Sequence, residues 1–192
     1  MTKTENFRKV VVRSPAELRA WLEAHHAQKE SVWLVTFKKH HKTKYVSTGE
    51  VLDELLCFGW IDGVRRKLDD DRTMQLIAPR KAQHWAKSYK DRVAKLKKAG
   101  RVHEAGLRSI RESKKRGLWN FMDDVDALIK PEDLVEALDS RAGAAAYFDA
   151  FPPASRRFVL RWIKLAKTPA TRRKRIEKTA ALAAKNQRVP GS

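Results

Sequence analysis

Three consecutive valines in Phe7–Arg13 (FRKVVVR) predict a short buried strand. Ser14-Pro15-Ala16-Glu17 then places serine, proline and glutamate as a capping box requires, and Leu18, Trp21 and Leu22 recur at helical spacing, predicting a helix to about Ala27. In Ser31–Lys39 (SVWLVTFKK) both alternating faces are apolar, the pattern of a strand inside a sheet. Ser47-Thr48-Gly49-Glu50 is a second capping box, opening a helix through Leu52, Leu55 and Leu56 that stops at Gly59. Ile61–Leu68 and Thr73–Ala78 read as two strands joined by the aspartate-rich turn Asp69-Asp70-Asp71-Arg72. Beyond Pro79 the period becomes helical: Trp85, Tyr89, Val93 and Leu96 share one face before Gly100, and a further helix runs from His103 to Gly117.

Residues 118–131 (LWNFMDDVDALIKP) are acidic and aromatic, and the chain after them is patterned as helix throughout. Leu134, Val135 and Leu138 mark one helix and Ala142–Phe148 a second. After the break at Phe151-Pro152-Pro153 a third carries Phe158, Val159, Trp162 and Ile163, and Thr168-Pro169 opens the last. Val189–Ser192 is expected to fray. The expected fold class is α+β: a small, mainly antiparallel sheet with flanking helices over residues 1–120, followed by a small all-helical C-terminal module over residues 128–187.

Composition supports folded domains, with 42% hydrophobic residues and six tryptophans in 192 residues. The lone Cys57 excludes an internal disulfide or a multi-thiolate metal site and fits a reducing compartment. No apolar run approaches the length that spans a bilayer, and Met1–Asn6 lacks the apolar core of a signal peptide, so a cytoplasmic protein without a membrane span is expected. The formal charge of +19 is positive in both halves and points to anionic partners.

Polar chemistry is densest between Gly59 and Arg80. One reading is an anion site: Arg65, Lys67, Arg72 and Arg80 bind a phosphate or carboxylate, Asp62 positions a guanidinium, and Trp60 offers a ring for stacking. The other is an exposed hairpin whose cations pair with Asp69–Asp71, each pair worth about 0–1 kcal/mol. Strand alternation separates Arg65 and Lys67 from Arg66, so one ligand cannot use them all. A second candidate surface is the basic final helix, with Arg172, Arg173, Lys174, Arg175 and Lys178 placed for non-specific contact with nucleic-acid phosphates. A third reading makes Asp62 the acid or base of an enzyme, but no partner residue is evident in the sequence. His25, His26, His40, His41, His84 and His103 lack the i, i+4 spacing of a helical metal site, and no nucleotide-binding fingerprint is present, so no metal and no cofactor is expected.

The runs WLVTFKKHHKTK, LLCFGWIDGVRRKLDDDR, APRKAQHWAKSYKDRVAKLKKAGRV and IRESKKRGLW resemble the YdeI/OmpD-associated family, whose members are often labelled bacteriocin-protection proteins. The segment LVEALDSRAGAAAYFDAFPPASRRFVLRWIKLAKTPATRRKRIEKTAALAA is similar to that family's small helical OmdA module, and together the matches span about residues 12 to 185. The resemblance implies an association with envelope stress and with resistance to bacteriocins or cationic peptides. It carries no reaction, cofactor or catalytic residue. Ile77-Ala78 departs from the aromatic and small polar residues expected before Pro79-Arg80, which changes one wall of any site there. Sequence and resemblance together lead to a non-enzymatic stress or bacteriocin-resistance protein that binds an anionic small molecule or a protein partner.

Overall fold

The computed structural model describes residues 6–81 and 83–192. Most of Met1–Asn6, where no signal-peptide core is expected, lies outside the described residues. The chain divides into two compact units, Met1–Asn120 and Phe121–Ser192.

The first unit contains β1 (Lys9–Val11), α1 (Pro15–His25), β2 (Val32–Phe37), α2 (Thr48–Cys57), β3 (Trp60–Lys67), β4 (Arg72–Pro79), α3 (Lys87–Lys98) and α4 (Glu104–Lys115). Its sheet has the order β1-β2-β4-β3, with only the β1–β2 pair parallel. The two-sided apolar strand β2 lies inside the sheet. Val32 and Leu34 face the helices together with Ile77 of β4, Trp60 of β3, and Leu18, Leu22, Leu55 and Leu56 of the helices. Ser47 and Glu50 form a complete capping box: the Glu50 amide donates to Ser47 Oγ at 3.2 Å and the Ser47 amide to the Glu50 carboxylate at 2.8 Å. At Ser14 the box is displaced, because the Glu17 carboxylate accepts from the Arg13 amide, at 2.8 Å, one residue before the cap. Inside the unit Glu54, 2% exposed, is paired by Arg19 at 3.1 Å and by Arg101, so one carboxylate ties α1 and α2 to the segment entering α4.

The second unit is helical: α5 (Asp123–Asp126), α6 (Glu132–Asp139), α7 (Ala144–Ala150), α8 (Pro153–Lys164) and α9 (Pro169–Ala183). Leu134, Leu138, Phe148, Val159, Ile163, Ile176 and Ala180 form its core. The expected fraying at the C-terminus is corrected here. Val189 is buried in this core, and the Arg188 guanidinium donates to Ser155 Oγ at 3.4 Å. Among the described residues no helix is long and apolar enough to cross a membrane.

Two glycines fix the joint between α2, β3 and α4. Gly59 leaves α2 at φ +72°, and a Cβ there would lie 2.9 Å from Ser109 Cβ. At Gly106 a Cβ would stand 2.3 Å from the Cys57 carbonyl oxygen, a backbone atom that cannot step aside. At Gly49, in the first turn of α2, a Cβ would be in ordinary van der Waals contact with the tip of Arg92 and with Ser47 Oγ, each at 3.8 Å. The two helical glycines should therefore respond with opposite signs. Gly49→Ala is expected to stabilise by up to about 1 kcal/mol through reduced backbone entropy. Gly106→Ala is expected to destabilise by about 2 kcal/mol or more through overpacking. Urea-denaturation midpoints of the two variants measure the difference.

Candidate anion-binding cleft

The expected site residues fall into four environments. Trp60 is in the core, with no exposed surface. Its ring meets Trp21 edge-on at 5.5 Å and its indole N–H donates to the His26 carbonyl at 3.4 Å, so it offers no face for stacking. Lys67 and Arg72 sit beside the hairpin turn, where they pair with Asp70 and Asp69, each at 2.6 Å. The Arg72 guanidinium, hydrogen-bonded to Asp69, holds that exposed carboxylate below its usual pKa. This is the hairpin-turn arrangement, in which the turn aspartates pair these two cations.

Asp62 and Arg65 form the third environment. Strict alternation would put Asp62 on the face of Arg66, but the register shifts between Asp62 and Arg65, and the bulge at Gly63-Val64 returns both to the helix-covered face. They are linked through Gln75 of β4, a residue that sequence reasoning missed. Its amide oxygen accepts from Arg65 at 2.6 Å, and its nitrogen donates to Asp62 at 3.3 Å. The other Asp62 oxygen accepts from the Tyr89 hydroxyl at 2.6 Å. Both oxygens of this half-buried carboxylate are thus engaged, and Tyr89, expected only as part of a core face, is one of its partners. Arg66, on the opposite face, lies over the Trp33 ring at 5.4 Å.

Arg80 belongs to the fourth environment. Its guanidinium stacks on Trp85 at 3.8 Å and donates through Nη2 to the His84 carbonyl at 2.9 Å. Nε and Nη1 are shielded from solvent and have no hydrogen-bond partner. Burial pushes the Arg80 pKa down to about 10, against the opposing pull of Tyr89 and Asp62. Arg80 lines a cleft of about 390 Å³, within the size range of small-molecule sites. Arg80, Lys81 and Gly59 form one side, and Arg108, Ser109 and Glu112 on a single face of α4, with Arg116 directly after it, form the other. Four cations thus surround the cleft with one carboxylate among them. Ser113, Gly59 and the aromatic floor of Phe58 and His26 complete a lining suited to an anion carrying an apolar or ring portion.

The basic helix α9 does not present its five cations together. Arg172 makes a two-point pair with Asp133, and Arg175 stacks on Trp162 and donates to that residue's carbonyl. Arg173, Lys174 and Lys178 are exposed.

An α+β domain with a cationic cleft, carried on one chain with a helical module, defines the class. Residues 10–109, just over half of the chain, match the family described as a domain of unknown function (DUF8412), and the chain belongs to that family. Residues 127–186 match the OmdA family, described as bacteriocin-protection, YdeI or OmpD-associated, so the helical module is an OmdA domain. No curated protein and no solved structure matches the chain.

Cys57 is fully buried, and burial first, with Glu54 adding to it, pushes its thiol up to about 11. In the native protein its reaction with a disulfide reagent should therefore be limited by unfolding and stay flat from pH 7 to 9, whereas urea-unfolded chain should react faster as pH rises through the ordinary thiol range. Stopped-flow absorbance measures both rates.

Proposed function

We propose that the protein is a bacteriocin-protection-associated protein that acts by binding an anionic ligand, without catalysis, in the cleft between Arg80-Lys81 and α4. The observation that carries this reading is the gathering of four cations, half-buried Arg80 with Lys81, Arg108 and Arg116, around one cleft with a single carboxylate among them. Guanidinium groups pair with phosphate or carboxylate through charge-assisted hydrogen bonds that are stronger than neutral ones. A binding role is favoured over acid–base chemistry because both Asp62 oxygens are engaged by neighbouring side chains.

Inorganic phosphate and a sugar phosphate should raise the melting temperature. At one hundred times Kd the stabilisation is about 2.7 kcal/mol, a shift of roughly 5–10 °C for a chain of this size. Arg108→Ala/Arg116→Ala, which removes two exposed cations, should abolish most of the shift and leave the ligand-free melting temperature nearly unchanged. Arg65→Ala should retain the shift. Equal shifts in wild type and the double variant would exclude the cleft.

The exposed Arg173, Lys174 and Lys178 favour a second reading, contact with nucleic-acid phosphates. Three such contacts predict that log K for mixed-sequence duplex DNA falls against log[salt] with a slope of about −2.7. Fluorescence anisotropy at low salt with the triple alanine variant checks it, and undiminished binding by that variant would remove α9 from the reading.

A further inference from the structure

The loop after β2 and the tip of the β3–β4 hairpin bring three ligand-type side chains together. His40 Nε2 and His41 Nε2 lie 3.1 and 2.8 Å from the same oxygen, Oδ1 of Asp71, and the three ligand atoms all fall within 4.8 Å of one another. The backbone around them is held in place. The Lys38 amide donates to the Asp71 carbonyl at 2.8 Å, the His41 amide to the Lys38 carbonyl at 3.0 Å, and the Asp71 amide to Asp69 Oδ1 at 3.0 Å. Lys38 Nζ adds bonds to the Asp69 and Asp70 carbonyls at 2.9 and 2.8 Å. Phe37 meets the His41 ring edge-on at 5.5 Å, which orients the imidazole.

We infer that His40, His41 and Asp71 form a site for a divalent first-row transition metal of the Zn²⁺ class, with at least one coordination position left to solvent or ligand. Two imidazoles and one carboxylate are the donor set such ions take, whereas Mg²⁺ and Ca²⁺ prefer all-oxygen shells. Four ligands about 2.0–2.1 Å from a tetrahedral ion stand about 3.3 Å apart. The two nitrogen–oxygen separations, 3.1 and 2.8 Å, need to open by only a few tenths of an ångström, and the two nitrogens are within 4.8 Å of each other. Each Nε2 offers its lone pair to the metal when the ring proton resides on Nδ1. The nearby Lys39, Lys42 and Lys44 oppose a cation, so the expected affinity is micromolar and not that of a structural zinc site.

The test uses the full untagged chain. Titration with CoCl2 should give visible d–d absorption that saturates at one equivalent, and calorimetry with ZnCl2 should give the same stoichiometry. His41→Ala and Asp71→Asn should each weaken binding at least about ten-fold, and His26→Ala should bind as wild type. Because all three side chains contact solvent, circular dichroism of the variants should match wild type. As a second measurement, Co²⁺ should broaden or shift the amide NMR signals of residues 38–45 and 69–73 first. Absence of saturable one-equivalent binding, or wild-type binding by both His41→Ala and Asp71→Asn, would overturn the assignment.

Discussion

The contact on which the first unit depends is the seating of α4 on the C-terminal end of α2. The Cys57 carbonyl accepts from the His103 amide at 3.0 Å while the bare Cα of Gly106 closes over it. No other residue type permits that approach, so the distance between the helices is set by backbone and not by adaptable side chains. The rest of the cleft is referred to this joint. Gly59 turns the chain beneath Ser109, its carbonyl accepts from the Arg80 amide at 2.9 Å, and Ser113 receives the amides of Leu118 and Trp119 at 2.9 and 3.2 Å. Leu118 in turn accepts from the Trp85 amide at 3.2 Å, placing the ring on which Arg80 stacks. The cationic walls are thus carried by hydrogen-bonded backbone.

Charge on this chain is arranged at two depths. Buried Glu54 needs Arg19 and Arg101, because an unpaired carboxylate in the core is strongly disfavoured; it serves attachment of three segments more than net stability. Exposed pairs such as Lys67–Asp70 contribute little energy, about 0–1 kcal/mol, yet they decide which cations remain for a ligand. Once the turn aspartates and Asp133 have taken Lys67, Arg72 and Arg172, the +19 charge is no longer a measure of binding surface. Position relative to carboxylates is.

The elements were legible in the sequence where local chemistry determines them: the capping serines, the two-sided β2, the aspartate turn and the helix-ending glycines all act within a few residues. What crosses the sheet was not. Gln75 links Asp62 to Arg65 only because β4 pairs with β3 in one register, and a single bulge at Gly63 reverses which cation shares the aspartate's face. Trp60 resembles a stacking ring in the sequence, and only its burial against Trp21 places it in the core. The α4 wall of the cleft was hidden for another reason: Arg108 and Arg116 read as an ordinary solvated helix face, and their meaning depends on Arg80 arriving from elsewhere. His40 and His41 likewise lack metal spacing on their own segment, since the third ligand comes from the hairpin tip.

The β3–β4 hairpin has the cleft at its open end, beside Gly59 and Arg80, and the histidine–aspartate cluster at its turn. Eight residues of strand at about 3.3 Å each separate them by more than about 20 Å. At that distance, with no shared partners, substitutions at the two ends should act additively. Coupling between them would require the hairpin itself to have two arrangements. Its edge strand β3 is anchored at one end by buried Trp60 and in the middle by the Gln75 amide, which leaves the turn as the part freest to respond. A ligand bridging His40, His41 and Asp71 would therefore stiffen the hairpin tip against β2 without reshaping the cleft.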